Sequence, residues 1–345
     1  MNITIEYIAR LANVSKATVS RVINNKAEGV GKETRARVQA IIQEYGYKPN
    51  LLARGIATSQ TKTIGLVIPD ITNPFFPAVV KAIEKYANSH GYSVIFCDTD
   101  TQSEKEKKSV STLIASRVDG VILATTLDEK SDWTWEFDKY NIPCVLIDRR
   151  LKSQNYNVSV FVDNEYAIYI ATEFLIRHGN RDIAFLKGPE HLSTTQERLQ
   201  GYQSALKQYR LPFREALVSS GDYSFEGGYN AMRRLLDEGT AFGAVVSSSD
   251  IMAIGALRAL REAGLRIPED VEITGFDNIE ISGMVDPPLT TMEQPIYELG
   301  KKAAEALIQL IDGRPLAEKN IRLEARLVIR KSTKNTQLDT AQERK

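Results

Sequence analysis

Between residues 63 and 331 the sequence alternates strand-like apolar runs with helical stretches, and this alternation constrains the fold more than any other feature. The runs read TIGLVIPD, YSVIFCDTD, VDGVILATT, IPCVLIDRR, DIAFLKGP, FGAVVSSSD and VEITGFDN. Between most of them lie VVKAIEKYANSHG, SVSTLIASR, AIYIATEFLIRHG and DIMAIGALRALREAG. Alternation of this kind predicts an α/β fold of doubly wound parallel sheets. Runs apolar at consecutive positions fit strands buried on both faces. A single sheet of this length would be large, so two similar lobes with a cleft between them are expected.

In open sheets of this type, ligands gather outside the carboxyl ends of the strands. Those ends carry Asp70-Ile-Thr-Asn-Pro-Phe-Phe, Asp148-Arg-Arg, Gly188-Pro, Ser247-Ser-Ser-Asp and Asp277-Asn. A sugar needs carboxylates, amides and cations for its hydroxyls and aromatic faces for its C–H surfaces. Asn73, Asp148, Arg149, Arg198, Asp277 and Gln294 supply the first; Phe75, Phe76 and Tyr223 supply the second. Each residue alone also reads as a strand-end cap or as lobe packing. The argument rests on the set.

The N-terminal part is different. Lys+Arg and Asp+Glu balance at 44 each over 345 residues, yet residues 1–62 hold ten basic and four acidic side chains, leaving 34 against 40 in the rest. A basic head on an acidic body points to a polyanion as partner of the head. Thr4 is placed to cap a first helix with Ile5, Ile8, Ala9 and Ala12 at helical spacing. Ala12-Asn13-Val14 then turns into Ser15, a second cap. In the second helix Val19, Val22 and Ile23 form the apolar stripe, while Lys16, Ala17, Ser20, Arg21 and Asn24 fall mostly on the other face. A third helix is expected at about residues 32–45, with Val38, Ile41, Ile42 and Tyr45 inward. Two short helices joined by a three-residue turn make a helix-turn-helix. The second helix suits a DNA groove: its outward side chains are small or have polar ends that bond to bases and phosphates.

Residues 49–62 form a linker with greasy side chains. Leu52 and Ile56 are four apart and share one face of a short helix entered through Pro49 and capped by Asn50. A lone helix of about eight residues is marginal in water, and Gly55 costs it roughly another 1 kcal/mol.

The segment ITIEYIARLANVSKATVSRVINN resembles the DNA-binding head of the lactose/galactose repressor (LacI/GalR) family, and ETRARVQAIIQEYGYKPNLLAR continues the resemblance through the linker. One departure is Gly31, where the family usually caps the third helix with Ser. The resemblance implies that Thr4, Ser15, Lys16, Ala17, Thr18, Ser20, Arg21, Asn24 and Tyr47 meet DNA. It also implies that the linker is a hinge helix formed on operator DNA, with Leu52 and Ile56 in the minor groove and Ile56 wedged into a base step. Ile56 stands where the family usually has Leu.

The body resembles the periplasmic sugar-binding-protein fold, which the family uses as its regulatory domain. Asn73 with Phe75 and Phe76 looks like a sugar clamp. Asp148-Arg149, Arg198 in QERLQGY, Tyr223 in GDYS, Asp277 in GFDN and Gln294 in TTMEQP match its effector-binding positions. Ser249 departs from the usual Asn, leaving room for water or a larger ligand. Lys187, with Arg149 and Arg150, extends the expected effector from a sugar to a sugar acid or sugar phosphate. The resemblance covers about residues 2 to 333.

The remaining features exclude other classes. Cys97 and Cys144 lie in apolar runs and read as buried free thiols. Three scattered histidines and two cysteines give no metal spacing. No nucleophile elbow, Walker loop or dinucleotide fingerprint appears, so neither an enzyme nor a cofactor is expected. No signal core and no run of about 18 apolar residues is seen, so a cytoplasmic protein without a membrane partner is expected. The tail STKNTQLDTAQERK lacks an apolar heptad, so a homodimer rather than a coiled-coil tetramer is expected.

The expected organisation is a helix-turn-helix domain at 1–48, a hinge at 49–62, a two-lobed effector and dimerisation domain at 63–331 and a disordered tail at 332–345. The expected function is a DNA-binding transcriptional regulator, a repressor in sense, that reads a pseudo-palindromic operator under the control of a small effector.

Overall fold

A computed structural model describes residues 3–23, 29–47, 60–125, 134–149 and 156–334. The chain divides into two compact units, Met1–Thr61 and Lys62–Lys345.

The first unit holds α1 (Ile5–Leu11), α2 (Lys16–Ile23) and α3 (Lys32–Glu44). Thr4 caps α1, its hydroxyl accepting the Tyr7 N–H at 3.2 Å. Ser15 caps α2, accepting the Thr18 N–H at 3.1 Å. Between them Asn13 takes φ 49°, a left-handed value that Asn tolerates better than most residues. Gly31 stands at the N-cap of α3 and offers no side-chain bond. Ile8, Ala9, Ala12, Val19, Val22 and Val38 form the buried core, with Ile23, Ile41, Ile42, Tyr45 and Tyr47 packed around it. Asn24, Pro49, Asn50, Leu52, Gly55, Ile56 and Arg150 lie outside the described residues.

The second unit contains two six-stranded sheets. Lobe 1 is built on β1 (Thr63–Ile68), β2 (Ser93–Asp98), β3 (Gly120–Leu123), β4 (Cys144–Ile147), β5 (Val158–Val162) and β11 (Asn320–Leu323), in the order 11-5-4-3-1-2. Lobe 2 is built on β6 (Ile183–Lys187), β7 (Val218–Ser220), β8 (Ala244–Ser247), β9 (Glu272–Asp277), β10 (Thr290–Glu293) and β12 (Arg326–Val328), in the order 12-10-9-8-6-7. All pairings are parallel except β10 with β12. The helices α4 (Phe75–Ser89), α5 (Ser103–Ala115), α6 (Thr134–Lys139) and α11 (Ile296–Ile311) pack on lobe 1. The helices α7 (Asn164–Arg177), α8 (Ser193–Gln208), α9 (Phe225–Asp237) and α10 (Asp250–Glu262) pack on lobe 2. The chain therefore passes between lobes three times: from β5 into α7, from β10 into α11, and from β11 into β12.

β1, β3, β4 and β5 are buried almost throughout, as continuous apolar runs require. β2 is an edge strand and has only exposed and half-buried positions. Cys97 lies on it and is half-buried, so the expectation of two buried thiols holds only for Cys144. Five strands, β5, β7, β10, β11 and β12, were not foreseen. They are three to five residues long, and only β5, VSVFV, has an apolar run that announces it.

Two boundaries move. Lys62 already belongs to the body, donating its N–H to an Asp119 carboxylate oxygen at 2.8 Å and its Nζ to Tyr92 Oη at 3.1 Å. The expected disordered tail begins too early at 332. Ser332 and Thr333 are buried. Ser332 Oγ accepts the Thr290 N–H at 2.8 Å and donates to the Ile273 carbonyl at 2.7 Å, while Thr333 shares a 2.8 Å hydroxyl bond with Thr290. The Lys334 N–H donates to Glu272 at 2.8 Å. These polar residues read as tail in sequence because their partners lie some forty to sixty residues away. No described helix is long and apolar enough to cross a membrane.

Candidate functional site

The cleft of the second unit is lined by Asn73, Phe75, Phe76, Asp148, Arg149, Thr194, Arg198, Tyr223, Ser249, Asp277 and Gln294. Strand ends position most of them, as the doubly wound topology dictates. Asn73, Phe75 and Phe76 follow β1, Asp148 and Arg149 follow β4, Tyr223 follows β7, Ser249 follows β8, Asp277 ends β9 and Gln294 follows β10. Three of these take left-handed backbone angles: Asp148 at φ 66°, Tyr223 at φ 65° and Asp277 at φ 116°. Such conformations cost of order 1–3 kcal/mol each and persist where the surroundings enforce them.

In lobe 1 the rings of Phe75 and Phe76 meet edge-to-face, with centroids 5.0 Å apart. Asn73 Oδ1 accepts the Phe75 N–H at 3.1 Å and so fixes the start of α4. Asp70, at the same strand end, turns inward on its own loop and accepts the Thr72 N–H and hydroxyl. Arg149 donates from Nη1 to the Thr125 carbonyl, and Thr125 in turn donates to the buried Glu106 at 2.7 Å. Arg149 Nε is buried with no hydrogen-bond partner among the described residues. It lies 3.7 Å from the nearest Asp148 carboxylate oxygen, beyond hydrogen-bond range.

In lobe 2, Arg198 donates from Nε to Asn164 Oδ1 at 2.8 Å and from Nη1 to the Ser248 carbonyl at 2.5 Å. Its guanidinium lies over the Phe276 ring, 3.9 Å from the centroid. Gln294 donates from Nε2 to Asp277 Oδ1 at 2.7 Å. Tyr223 Oη shares a 3.0 Å bond with Thr195 Oγ1, and its ring occupies the space that a side chain at Gly188 would take. Ser249 caps α10, accepting the Met252 N–H at 3.4 Å, which leaves its hydroxyl proton for the cleft.

Burial raises the pKa of Asp148 against the opposing pull of Arg149 and Arg198. Burial likewise holds Asp277 well above the usual carboxylate range, against Arg198. The cleft thus pairs two desolvated carboxylates with two guanidiniums. The side chains leave about 30 Å³ of free volume, room for a water but not for a sugar ring. A ring ligand enters only if side chains turn aside or the lobes part.

The structure brings together every cleft residue named from sequence and adds Thr194. Thr194 sits four residues before Arg198 on α8, hence on the same helix face, a spacing that would have disclosed it. Lys187 is not among the lining residues; it forms an ion pair with Glu190.

In the head, Lys16, Ala17 and Arg21 are exposed on α2, and Thr18 and Ser20 are half-buried. Ser15 and Thr18 share a 2.9 Å hydroxyl bond. Lys16 pairs with Glu6, both more than half exposed, an arrangement that phosphate readily replaces because such pairs contribute little. Tyr47 packs half-buried against the head core. Thr4 Oγ1 caps α1 as an acceptor, which leaves its hydroxyl proton to donate. Among the described residues no three His, Cys, Asp or Glu side chains converge as a metal site.

A helix-turn-helix unit joined to a two-lobed ligand-binding body defines a class: DNA-binding regulators built on a sugar-binding fold. The chain belongs to the LacI family of bacterial regulatory proteins. Residues 4–50 match the family described as "Bacterial regulatory proteins, lacI family", and residues 61–335 match "Periplasmic binding proteins and sugar binding domain of LacI family". The chain is 37% identical over 332 residues to the ribose operon repressor of Halalkalibacterium halodurans, covering 96% of this chain and 97% of that protein. Its fold is similar to the lac repressor dimer bound to operator and the anti-inducer ONPF: TM-score 0.88, 32% identity, 96% of this chain and 99% of that one. It is also similar to a LacI family transcriptional regulator from Enterococcus faecium with bound ribose: TM-score 0.71, 33% identity, 79% of this chain and 98% of that one. These relatives are transcriptional regulators, not enzymes.

Proposed function

We propose that this chain is a dimeric repressor whose operator affinity is set by an uncharged sugar held between the lobes. One observation carries the reading of the cleft. Side chains from six strand ends converge there, and they offer both carboxylates and guanidiniums for hydroxyls and aromatic faces for a ring. The unpaired Nε of Arg149 supplies a donor that a hydroxyl oxygen would satisfy. The ribose named for the Halalkalibacterium and Enterococcus proteins supports a sugar as the chemical class.

The mixture of oxygens, N–H donors and rings suits the hydroxyls and C–H faces of a neutral ligand. Asp148 and Asp277 offer oxygens to hydroxyls, Arg149 and Arg198 offer N–H donors, and Lys187 is held by Glu190. In the head, Ala17 lets α2 approach base edges, Arg21 and Lys16 reach bases or phosphates, and the wedge role of Ile56 and Leu52 belongs to the same reading. The sugar shifts DNA affinity by as much as its own affinity differs between the two lobe arrangements, and the coupling is reciprocal. Such a regulator acts in the cytoplasm, where the DNA is.

The test uses the full chain. Melting temperature is followed with D-ribose, D-glucose and cellobiose, and with ribose 5-phosphate and gluconate. A neutral sugar is expected to raise it by mass action and then to change the affinity for duplexes selected from a random library. A larger shift with the anionic members overturns the neutral assignment; no shift with any member overturns the sugar reading. On the DNA side, Arg21→Ala is expected to weaken selected duplexes, and if Arg21 meets phosphate, the salt slope falls by about one.

A further inference from the structure

Asn164 stands where the chain first leaves lobe 1 for lobe 2. It follows Val162, the last residue of β5, and Asp163, the N-cap of α7. It is 1% exposed, it is not a cleft-lining residue, and its amide is fully used. Oδ1 accepts Arg198 Nε–H at 2.8 Å. Nδ2 donates to the Val162 carbonyl at 3.3 Å and to Glu197 Oε2 at 3.0 Å. One side chain therefore ties the end of a lobe 1 strand to two neighbouring residues of α8, a lobe 2 helix.

The consequence falls on Arg198. Its guanidinium is held at Nε by Asn164 and at Nη1 by Ser248, which leaves Nη2 for the cleft it lines. The plane of a guanidinium is fixed by two bonds made in that plane. Without the Asn164 bond it can pivot about the contact to Ser248 while still stacked on Phe276, and a buried N–H loses its partner. The backbone supports the same geometry. Gly201 lies on α8 one turn beyond Glu197, and a Cβ there would come 2.1 Å from the Glu165 carbonyl oxygen. α7 and α8 are thus held close enough for so short an amide to reach across.

We propose that Asn164 is a positioning residue for Arg198. It sets the guanidinium from the first lobe crossover, so the arginine's presentation to ligand follows the placement of the β5 end relative to α8. No other uncharged residue of similar size supplies both the acceptor for Arg198 and the donor for Val162 and Glu197. Leucine would strand the Nε–H. Aspartate keeps the acceptor but loses the donor and adds a charge beside Glu197.

The inference rests on the cleft reading above, and the test separates the two. The probe is whichever of D-ribose, D-glucose and cellobiose most raises the melting temperature of the wild-type chain. Arg198→Ala is expected to abolish that shift. By calorimetric titration at a temperature where each variant is folded, Asn164→Ala is expected to weaken the sugar by about tenfold or more, and Asn164→Asp by about threefold or less; the buried groups left unmet lower the ligand-free melting temperature of both. In ¹⁵N-arginine-labelled protein, the Arg198 Nε–H resonance, assigned by its loss in Arg198→Lys, should be protected from solvent exchange in wild type and Asn164→Asp. It should exchange fast in Asn164→Ala, a readout that needs no ligand. Protection unchanged in Asn164→Ala, or equal weakening in the alanine and aspartate variants, overturns the positioning role. Wild-type sugar binding by Arg198→Ala, or no shift with the three sugars or the two anionic compounds, removes the cleft reading and this inference with it.

Discussion

Lobe 1 meets the cleft through two rings that also belong to its hydrophobic core, beside the polar Asn73, Asp148 and Arg149, whereas lobe 2 adds to the ring of Tyr223 polar side chains suspended in hydrogen bonds. Phe75 and Phe76 pack with Ile64, Leu66, Val79 and Leu299 in one buried cluster. Arg198, Asp277 and Gln294 instead take their positions from Asn164, Ser248 and each other. The two sheets share a strand order, so topology does not cause the difference. It comes from what stands at the strand ends. Removing a ring opens a cavity in a core; removing a suspended polar group changes recognition while the core stays filled. Lobe 1 should therefore couple ligand contact to stability, and lobe 2 should keep the two apart.

The sharpest test of that contrast is Phe76→Ala. Phe76 is 5% exposed, and its truncation should lower stability by about 3–5 kcal/mol, seen as a lower denaturation midpoint in urea. Weakened sugar binding with unchanged stability would break the comparison. Next is Asp277→Ala. It should weaken the sugar by about 100-fold, about 2.7 kcal/mol, by calorimetric titration. Sugar-free binding to selected duplexes should stay at the wild-type level, because the loss of Gln294's partner is offset by removal of a desolvated carboxyl group. A collapse of stability in this variant would show that lobe 2 is no different from lobe 1.

A smaller effect is expected from Gly201→Ala. The added methyl meets the Glu165 carbonyl, so α7 and α8 must separate, at a cost of about 1–3 kcal/mol. Sugar affinity should fall with it, since the Asn164–Arg198 bond spans that gap. Unchanged affinity would loosen the link between helix spacing and the cleft.

The smallest effect is a pH slope. Asp250 is buried behind the cleft, accepting Thr291 Oγ1–H at 2.5 Å and the Ile279 N–H at 2.9 Å. Burial pushes its carboxyl up to about 7, against the lowering pull of those bonds. The folded state then holds this proton where the unfolded chain has released it. Stability from this group is fully present below the unfolded value of about 4 and is lost as pH rises through about 7. An asparagine side chain in its place would keep one acceptor and offer a donor to Thr291, so Asp250→Asn should flatten the fall in melting temperature between about pH 4 and 7. An unchanged slope would place that proton elsewhere, with Asp148 and Asp277 the next groups whose folded values are raised.

Much of this organisation is legible in the chain. Thr4 and Ser15 mark helix starts because capping is a local event between residues three apart. β1, β3, β4, β6, β8 and β9 are legible because strands buried on both faces must be apolar at successive positions. The polar strand ends are legible because a doubly wound sheet sends its ligands there. The short strands β7, β10, β11 and β12 are not, since three or four residues at a sheet edge or a lobe crossing need no such pattern.

The sequence by itself determined the alternation, the caps, the charge contrast between head and body, and the list of side chains at strand ends. Only the tertiary structure decided which of them meet. It turned Lys187 onto Glu190 and Asp70 onto its own loop, buried Ser332 and Thr333 beside β9 and β10, and placed Asn164 against Arg198 across a lobe crossing. The reason is physical. Caps and periodicity act over three or four residues, whereas each of these outcomes, apart from the two local turns, depends on partners more than thirty residues away that no local pattern encodes. Even the two local turns were settled by competition, because a side chain at a strand end has a cleft and a loop within equal reach.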